Sequence, residues 1–272
     1  VSKQTVVMAG DLIRKHRRRV GSRWRKASPG RQALLALAVL RHDQRLEDLA
    51  GGNGVSASTL RRWVLELVSL LAARAPRLDR ALARLRAAGA TLVLVDGTLV
   101  RTRRRTGKAN RRHYSGKHKR HGLNVQALTD TRGRLLWISC ALPGSTADIT
   151  AARRHNLLDR LRAAGLALGG DKGYHGLHKD LRVLAADTGD AGQGQIVITP
   201  VKAETNRPLT DAEKLSNSVF NGLRCAVERA FAALKTWRIL DKLRLNPRHA
   251  TTLLRALLVL VQHHQKTPHP TP

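Results

Sequence analysis

The run Thr91-Leu-Val-Leu-Val-Asp96 constrains the fold of this chain more than any other segment. Consecutive apolar residues without polar alternation read as a buried strand at the centre of a sheet. This one ends on an acid. A second apolar run, Leu166-Ala-Leu-Gly-Gly-Asp171, also closes on an aspartate, and a third acid, Glu228, lies mid-helix in Arg224-Cys-Ala-Val-Glu-Arg-Ala-Phe231. The chain as a whole has 50 Lys+Arg against 19 Asp+Glu and a formal net charge of +31. Acids at strand ends in so basic a chain are candidate metal ligands, and the surrounding cations would hold a polyanion against the metal.

The charge points to nucleic acid, the commonest use of such an excess of Lys and Arg. Aromatic residues make up only 3% of the 272, too few for a platform that stacks single-stranded bases. Cys140 and Cys225 form no CxxC pair and read as small core residues in a reducing compartment, against a zinc finger or disulfide scaffold. The basic stretch Arg14-Lys-His-Arg-Arg-Arg19 has no long apolar segment behind it. The longest apolar stretch, Leu253 to Val261, contains Arg255 and is too short for a bilayer. A soluble, intracellular protein with no membrane partner is expected.

Residues 1–27 are basic and weakly patterned and read as an arm that orders on DNA. In residues 28–76, Ser28-Pro29 supplies an N-cap and a proline at the first helical position, ahead of a helix through Gln32 to Leu40. A short amphipathic piece, Arg45 to Ala50, leads into the turn Gly51-Gly-Asn-Gly54. The helix opened by Val55-Ser-Ala-Ser-Thr59 puts Leu60, Val64, Leu67 and Leu71 on one face and Arg61 and Arg62 on the other. This is the layout of a small all-α helix-turn-helix domain, with Arg61 and Arg62 as candidate DNA contacts; a helical bundle without DNA contact has the same pattern. Residues 77–90 read as an Arg-rich linker helix.

From Thr91 the period changes. The stretch Arg101 to Arg120 holds ten Lys/Arg and reads as a charged loop or hairpin. Gly122 to Leu128 alternates as a strand, Leu135 to Leu142 is a third, and Asp148 to Arg162 reads as one helix capped by Ser145 or Thr146. A strand over Leu166–Leu168, a further one over Gln195 to Pro200, and helices over Ser216–Leu240 and Arg248–His264 follow. This order over residues 91–264 matches an RNase H-like α/β core, with residues 265–272 as a tail.

The chemistry that three such acids support is phosphodiester displacement. Two divalent ions about 4 Å apart activate the attacking oxygen and stabilise the leaving one. Mg²⁺ or Mn²⁺ takes oxygen ligands and keeps several waters, so a few carboxylates suffice. Arg224, Glu228 and Lys235 are spaced i, i+4 and i+11, on one helical face. A lone helix with that pattern is more simply a surface ion pair of Arg224 with Glu228.

Five motifs carry a resemblance. Asp96-Gly97-Thr98, Tyr114-Ser-Gly-Lys-His-Lys-Arg-His-Gly-Leu-Asn-Val-Gln126, Pro143-Gly-Ser-Thr-Ala-Asp148, Gly170-Asp-Lys-Gly-Tyr174 and Val227-Glu-Arg-Ala-Phe-Ala-Ala-Leu-Lys235 occur in the order seen in DDE transposases of the bacterial IS5 group, relatives of the Harbinger-type transposases. The resemblance runs from about residue 30 to 262. It implies an RNase H-like catalytic domain behind a helix-turn-helix, with Asp96, Asp171 and Glu228 as the metal-binding triad. It also implies Arg224 and Lys235 as members of a signature helix, and assembly on two DNA ends as a dimer or higher oligomer. A cytoplasmic, nucleoid-associated bacterial enzyme follows, acting on terminal inverted repeats and target DNA. The tyrosine of the signature helix is Asn221 here, which bears on a DNA contact and not on the metal site.

Some assignments have rivals. Asp148 also falls in a motif and competes with Asp171, which is preferred because it follows a strand and two glycines that allow close approach. Asp148 opens a helix, where an acid is favoured by the dipole alone. Asp130 reads as a turn residue, and Tyr174 as packing against the wall of the site. His113, His118 and His121 lie among Lys117, Lys119 and Arg120, whose charge disfavours a bound cation. Those three cations are instead candidate DNA contacts. Gln262-His-His-Gln265 reads as a frayed helix end. A nuclease that only cuts, and a DNA-binding regulator without activity, are the alternative functions.

Overall fold

The computed structural model describes residues 1–23, 25–103, 109–177, 197–203, 207–241, 243 and 247–266. They divide into two compact units. One holds Val1–Ala75, Val100–Arg103 and the chain from Ala232 onward; the other holds Pro76–Leu99 and Arg104–Phe231. No helix among the described residues is long and apolar enough to cross a membrane.

The first unit is helical: α1 (Lys3–Arg19), α2 (Pro29–His42), α3 (Leu46–Gly51), α4 (Ala57–Ala72) and a terminal helix, Pro247–Lys266. Ser28 caps α2 by accepting from the Arg31 amide, with Pro29 at the first turn, and Ser56 caps α4 by accepting from Thr59. Leu60, Trp63, Leu67, Val68 and Leu71 form the buried stripe of α4. Part of it joins Ala27, Leu35, Val39 and Ala50 in one cluster.

Two expectations are corrected in this unit. Residues 1–27 are not an unpatterned arm, because residues 3–19 form α1, capped by Ser2 and burying Thr5, Ala9, Gly10, Leu12 and Ile13. Much of that buried face is small, so it gives little hydrophobic signal. A Cβ on Gly10 would stand 3.4 Å from Cα of Gly30, which shows how closely α1 and α2 approach. Arg17 fastens the pair further, donating to Ala27 O at 2.9 Å and to Gln32 Oε1 at 2.5 Å. The terminal helix, expected in the catalytic part, packs on α4 with Leu253, Leu254, Leu257 and Leu258 buried. It runs regularly to Lys266, through the residues expected to fray. Residues 267–272 lie outside the described residues.

The second unit has α5 (Leu78–Ala87), β1 (Leu92–Arg101), α6 (Ala109–His113), β2 (Tyr114–Ser115), β3 (Arg120–Thr129), β4 (Leu135–Ile138), β5 (Leu142–Pro143), α7 (Asp148–Arg154), α8 (Leu157–Ala163), β6 (Ala167–Gly169), β7 (Val197–Ile198) and α9 (Asp211–Lys235). The sheet runs β2-β3-β1-β6-β7, with β4 and β5 also paired to β3. β1, β6 and β7 are parallel, whereas β2, β4 and β5 run antiparallel to β3. The apolar run at Leu92 is thus the central strand, covered on both faces.

α5 is no mere linker. Its Leu78, Ala81, Leu82 and Leu85 join Val93, Val95, Leu161, Leu168 and Tyr174 in one core. The helix expected over 148–162 is broken at Asn156, which takes the left-handed conformation (φ 53) that asparagine tolerates. α7 begins after Ala147, without a side-chain cap from Ser145 or Thr146. Cys140 and Cys225 are exposed thiols rather than core residues, since Cys225 lies off the buried face of α9 formed by Ala226, Val227, Ala230 and Phe231. Residues 104–108 of the basic stretch lie outside the described residues.

Candidate active site

The register of β1 with β6 positions the first two acids. Leu94 is opposite Gly169, so Asp96 and Asp171 each lie two residues beyond the same rung. Asp96 is not at a strand end, because β1 continues to Arg101. Its Oδ1 accepts from the Gly97 amide at 2.8 Å. Asp171 caps the short 3₁₀ turn Lys172–Tyr174, accepting from Gly173 at 2.9 Å. Gly169 and Gly170 are needed here. A Cβ on Gly169 would press 2.7 Å from Leu94 Cδ2, and one on Gly170 would stand 2.8 Å from the Tyr174 ring.

Helix α9 is seated against the same sheet. Phe220 packs over Gly169, and a Cβ on Gly133, in the turn after β3, would fall 2.7 Å from the carbonyl oxygen of Ala226. Asp130 holds that turn by accepting from Arg132 N, Arg134 N and Arg134 Nε, so it serves the backbone. One turn beyond Phe220, Arg224 bears on Asp96 electrostatically. Burial raises the Asp96 carboxyl to about pH 6; the Gly97 hydrogen bond opposes this, Asp171 and Asp148 add to it, and Arg224 opposes it.

The structure therefore brings together Asp96, Asp171, Arg224 and also Asp148. Glu228 is exposed, one turn past Arg224, and is not among the charges that bear on Asp96. Among the described residues no three His, Cys, Asp or Glu side chains are grouped so as to hold an ion together. The donor chemistry nonetheless suits a hard divalent cation. Asp96 and Asp171 offer only carboxylate oxygens, and Asp96 carries a half-buried charge that a cation would relieve.

Two residues without an assigned role stand beside this pair. Asn124 and Gln126 occupy the polar positions of alternating β3, yet they are 9% and 0% exposed. Asn124 Nδ2 donates to Asp148 Oδ1 at 2.9 Å, and Gln126 Nε2 donates to Asp148 O at 2.9 Å and to the Tyr174 hydroxyl at 3.0 Å. Polar residues alternating along a strand inside a motif were the available signal. Tyr174 is fully buried, and its phenol is held well above its ordinary pKa, first by burial and then by Asp148 and Asp96.

Of the candidate DNA contacts, Arg61 and Arg62 are exposed on the first turns of α4, where Arg62 donates to Thr59 Oγ1 at 3.2 Å. Lys117 and Lys119 are exposed in the tight turn before Arg120, which opens β3. Lys119 takes φ 51, and Lys117 Nζ comes 3.4 Å from Asp148 Oδ2. Lys235 is exposed at the end of α9. His121 pairs with Asn110 at 2.6 Å and meets the Tyr114 ring edge-on.

The family model for the DDE superfamily endonucleases matches residues 95–262, from the start of this site through α9 and into the terminal helix. A protein of Streptomyces albus G, named as the transposase for insertion sequence element IS112, is 31% identical over 216 residues, covering 79% of this chain and 72% of its own length. The chain belongs to the DDE transposases. No solved structure matches it. A DDE endonuclease domain implies an RNase H-like core, and the mixed sheet with its central β1 is the part of the fold that carries the acids. DDE transposases act on DNA, and DDE endonucleases generally use divalent metal ions.

Proposed function

We propose that this chain is an insertion-sequence transposase of the IS5 group, which binds the terminal inverted repeats of its element, cleaves there, and joins the freed 3′-OH to target DNA. The observation that carries the reading is the placement of Asp96 on β1 and of Asp171 just after the parallel β6, each two residues beyond the same rung. These two acids would hold Mg²⁺ or Mn²⁺, and Glu228 would complete the set from α9. The ions, when bound, lower the pKa of the attacking water or hydroxyl and stabilise the leaving oxygen. Arg224 and Lys235 would meet the DNA backbone along α9, and Lys117, Lys119 and Arg120 would clamp the donor strand. In the other unit, α3, the glycine turn and α4 follow the order of a helix-turn-helix, with Arg61 and Arg62 facing outward to read the repeat. Activity on paired ends requires a dimer or higher assembly on DNA.

A strand-transfer assay on a duplex carrying the element's end tests this reading. Mg²⁺-dependent cleavage and a joined product are expected, with both lost in Asp96→Ala. Cleavage with no joined product would favour an endonuclease that only cuts. Tight binding of the end without any cleavage would leave a regulator. Cleavage unchanged by Asp96→Ala would remove the metal-site assignment.

A further inference from the structure

Asp148 is the acid that the proposed chemistry leaves without a task. Its side chain is 14% exposed. Asn124 donates one amide hydrogen to its Oδ1 and the other to Thr146 O at 2.8 Å, while Gln126 holds the Asp148 carbonyl. Two buried amides on β3 thus fix both the carboxylate and the main chain at the start of α7. The carboxylate fills the space that a side chain on Gly97 would need, since a Cβ there would lie 2.9 Å from its Cγ. It also lies beside Gly173, where a Cβ would stand 2.9 Å from Asp171 Oδ1 and 3.7 Å from Asp148 Oδ2. Lys117 approaches the second oxygen, but its side chain is 65% exposed and supplies little restraint.

We infer that Asp148 is a positioning residue: braced by Asn124, its carboxylate is the spacer that sets how far the Asp96 strand stands from the Asp171 turn. This rests on reading Asp96 and Asp171 as the metal-holding pair. A spacer needs volume and a hydrogen-bond acceptor, whereas a ligand needs negative charge. Asparagine supplies the first two without the third, so the roles separate.

The test is calorimetric titration of the full chain with Mn²⁺ alone, with Mg²⁺ dependence of end cleavage as a second readout. Asp148→Ala and Asn124→Ala should each weaken Mn²⁺ binding about tenfold and raise the Mg²⁺ needed for half-maximal cleavage. Asp148→Asn should restore most of the loss. Thermal unfolding of each variant fixes a temperature at which all are folded. If Asp148→Ala does not fold, Asn124→Ala against Asp148→Asn carries the comparison. Asp148→Asn as defective as Asp96→Asn would make Asp148 a ligand and overturn the proposal, as would wild-type Mn²⁺ binding in Asn124→Ala. Wild-type Mn²⁺ binding in Asp96→Asn would instead overturn the metal-site reading itself.

Discussion

Ionised Asp96 sits where burial and two neighbouring aspartates resist its charge. Burial raises its carboxyl from the ordinary 3.8 to about 6, so the folded state holds the proton more tightly than the unfolded one. Stability from this group is therefore present below about pH 4 and is lost as pH rises to 6; above that, the metal-free protein carries the full cost, about 2–3 kcal/mol. Asp96→Asn should raise the metal-free unfolding midpoint at pH 7.5 and change it little at pH 4. Denaturant titrations at the two pH values check this, and equal effects at both would contradict the assigned environment. Near pH 7.5, added Mg²⁺ should stabilise the wild type and not the variant.

At the scale of elements, the turn after β3 sets where α9 lies. Gly133 has φ 80 and sits against the Ala226 carbonyl, two residues before Glu228. Gly133→Ala meets both a left-handed backbone and helix main chain that cannot yield as a side-chain tip could. A loss of about 1–3 kcal/mol is expected. End cleavage should fall more than the unfolded fraction explains, because Arg224 and Glu228 move with the helix; an unfolding midpoint and cleavage rate equal to wild type would refute this. The elements themselves were largely legible. β1 and the strand before Asp171 showed as apolar runs and α9 by its helical spacing, and Ser28 and Ser56 cap the helices they precede. Strand pairing was not legible: nothing in the run ending at Asp171 says that it lies level with Asp96. The α1 helix escaped notice because Thr5, Ala9 and Gly10 bury a face with little hydrophobicity. The bracing of Asp148 was not legible, since an acid opening a helix already has a local explanation. Its partners lie 24 and 22 residues away on β3.

For the molecule as a whole, a net charge of +31 makes salt the main lever on binding. Affinity for an end duplex should fall linearly in log–log form, by about 0.9 per phosphate neutralised. Replacing Arg61 and Arg62 with alanine should make that slope shallower by about 2 and lower the preference for the end sequence. Fluorescence anisotropy across a salt series measures both, and an unaltered slope would remove α4 from the DNA interface. The unit that begins at Val1 is completed by Pro247–Lys266, whose apolar face covers α4. Helices α1 to α4 therefore leave the ribosome long before the segment that shelters their buried face. A copy cut short ahead of Pro247 would release those helices with that face bare, as material for proteolysis.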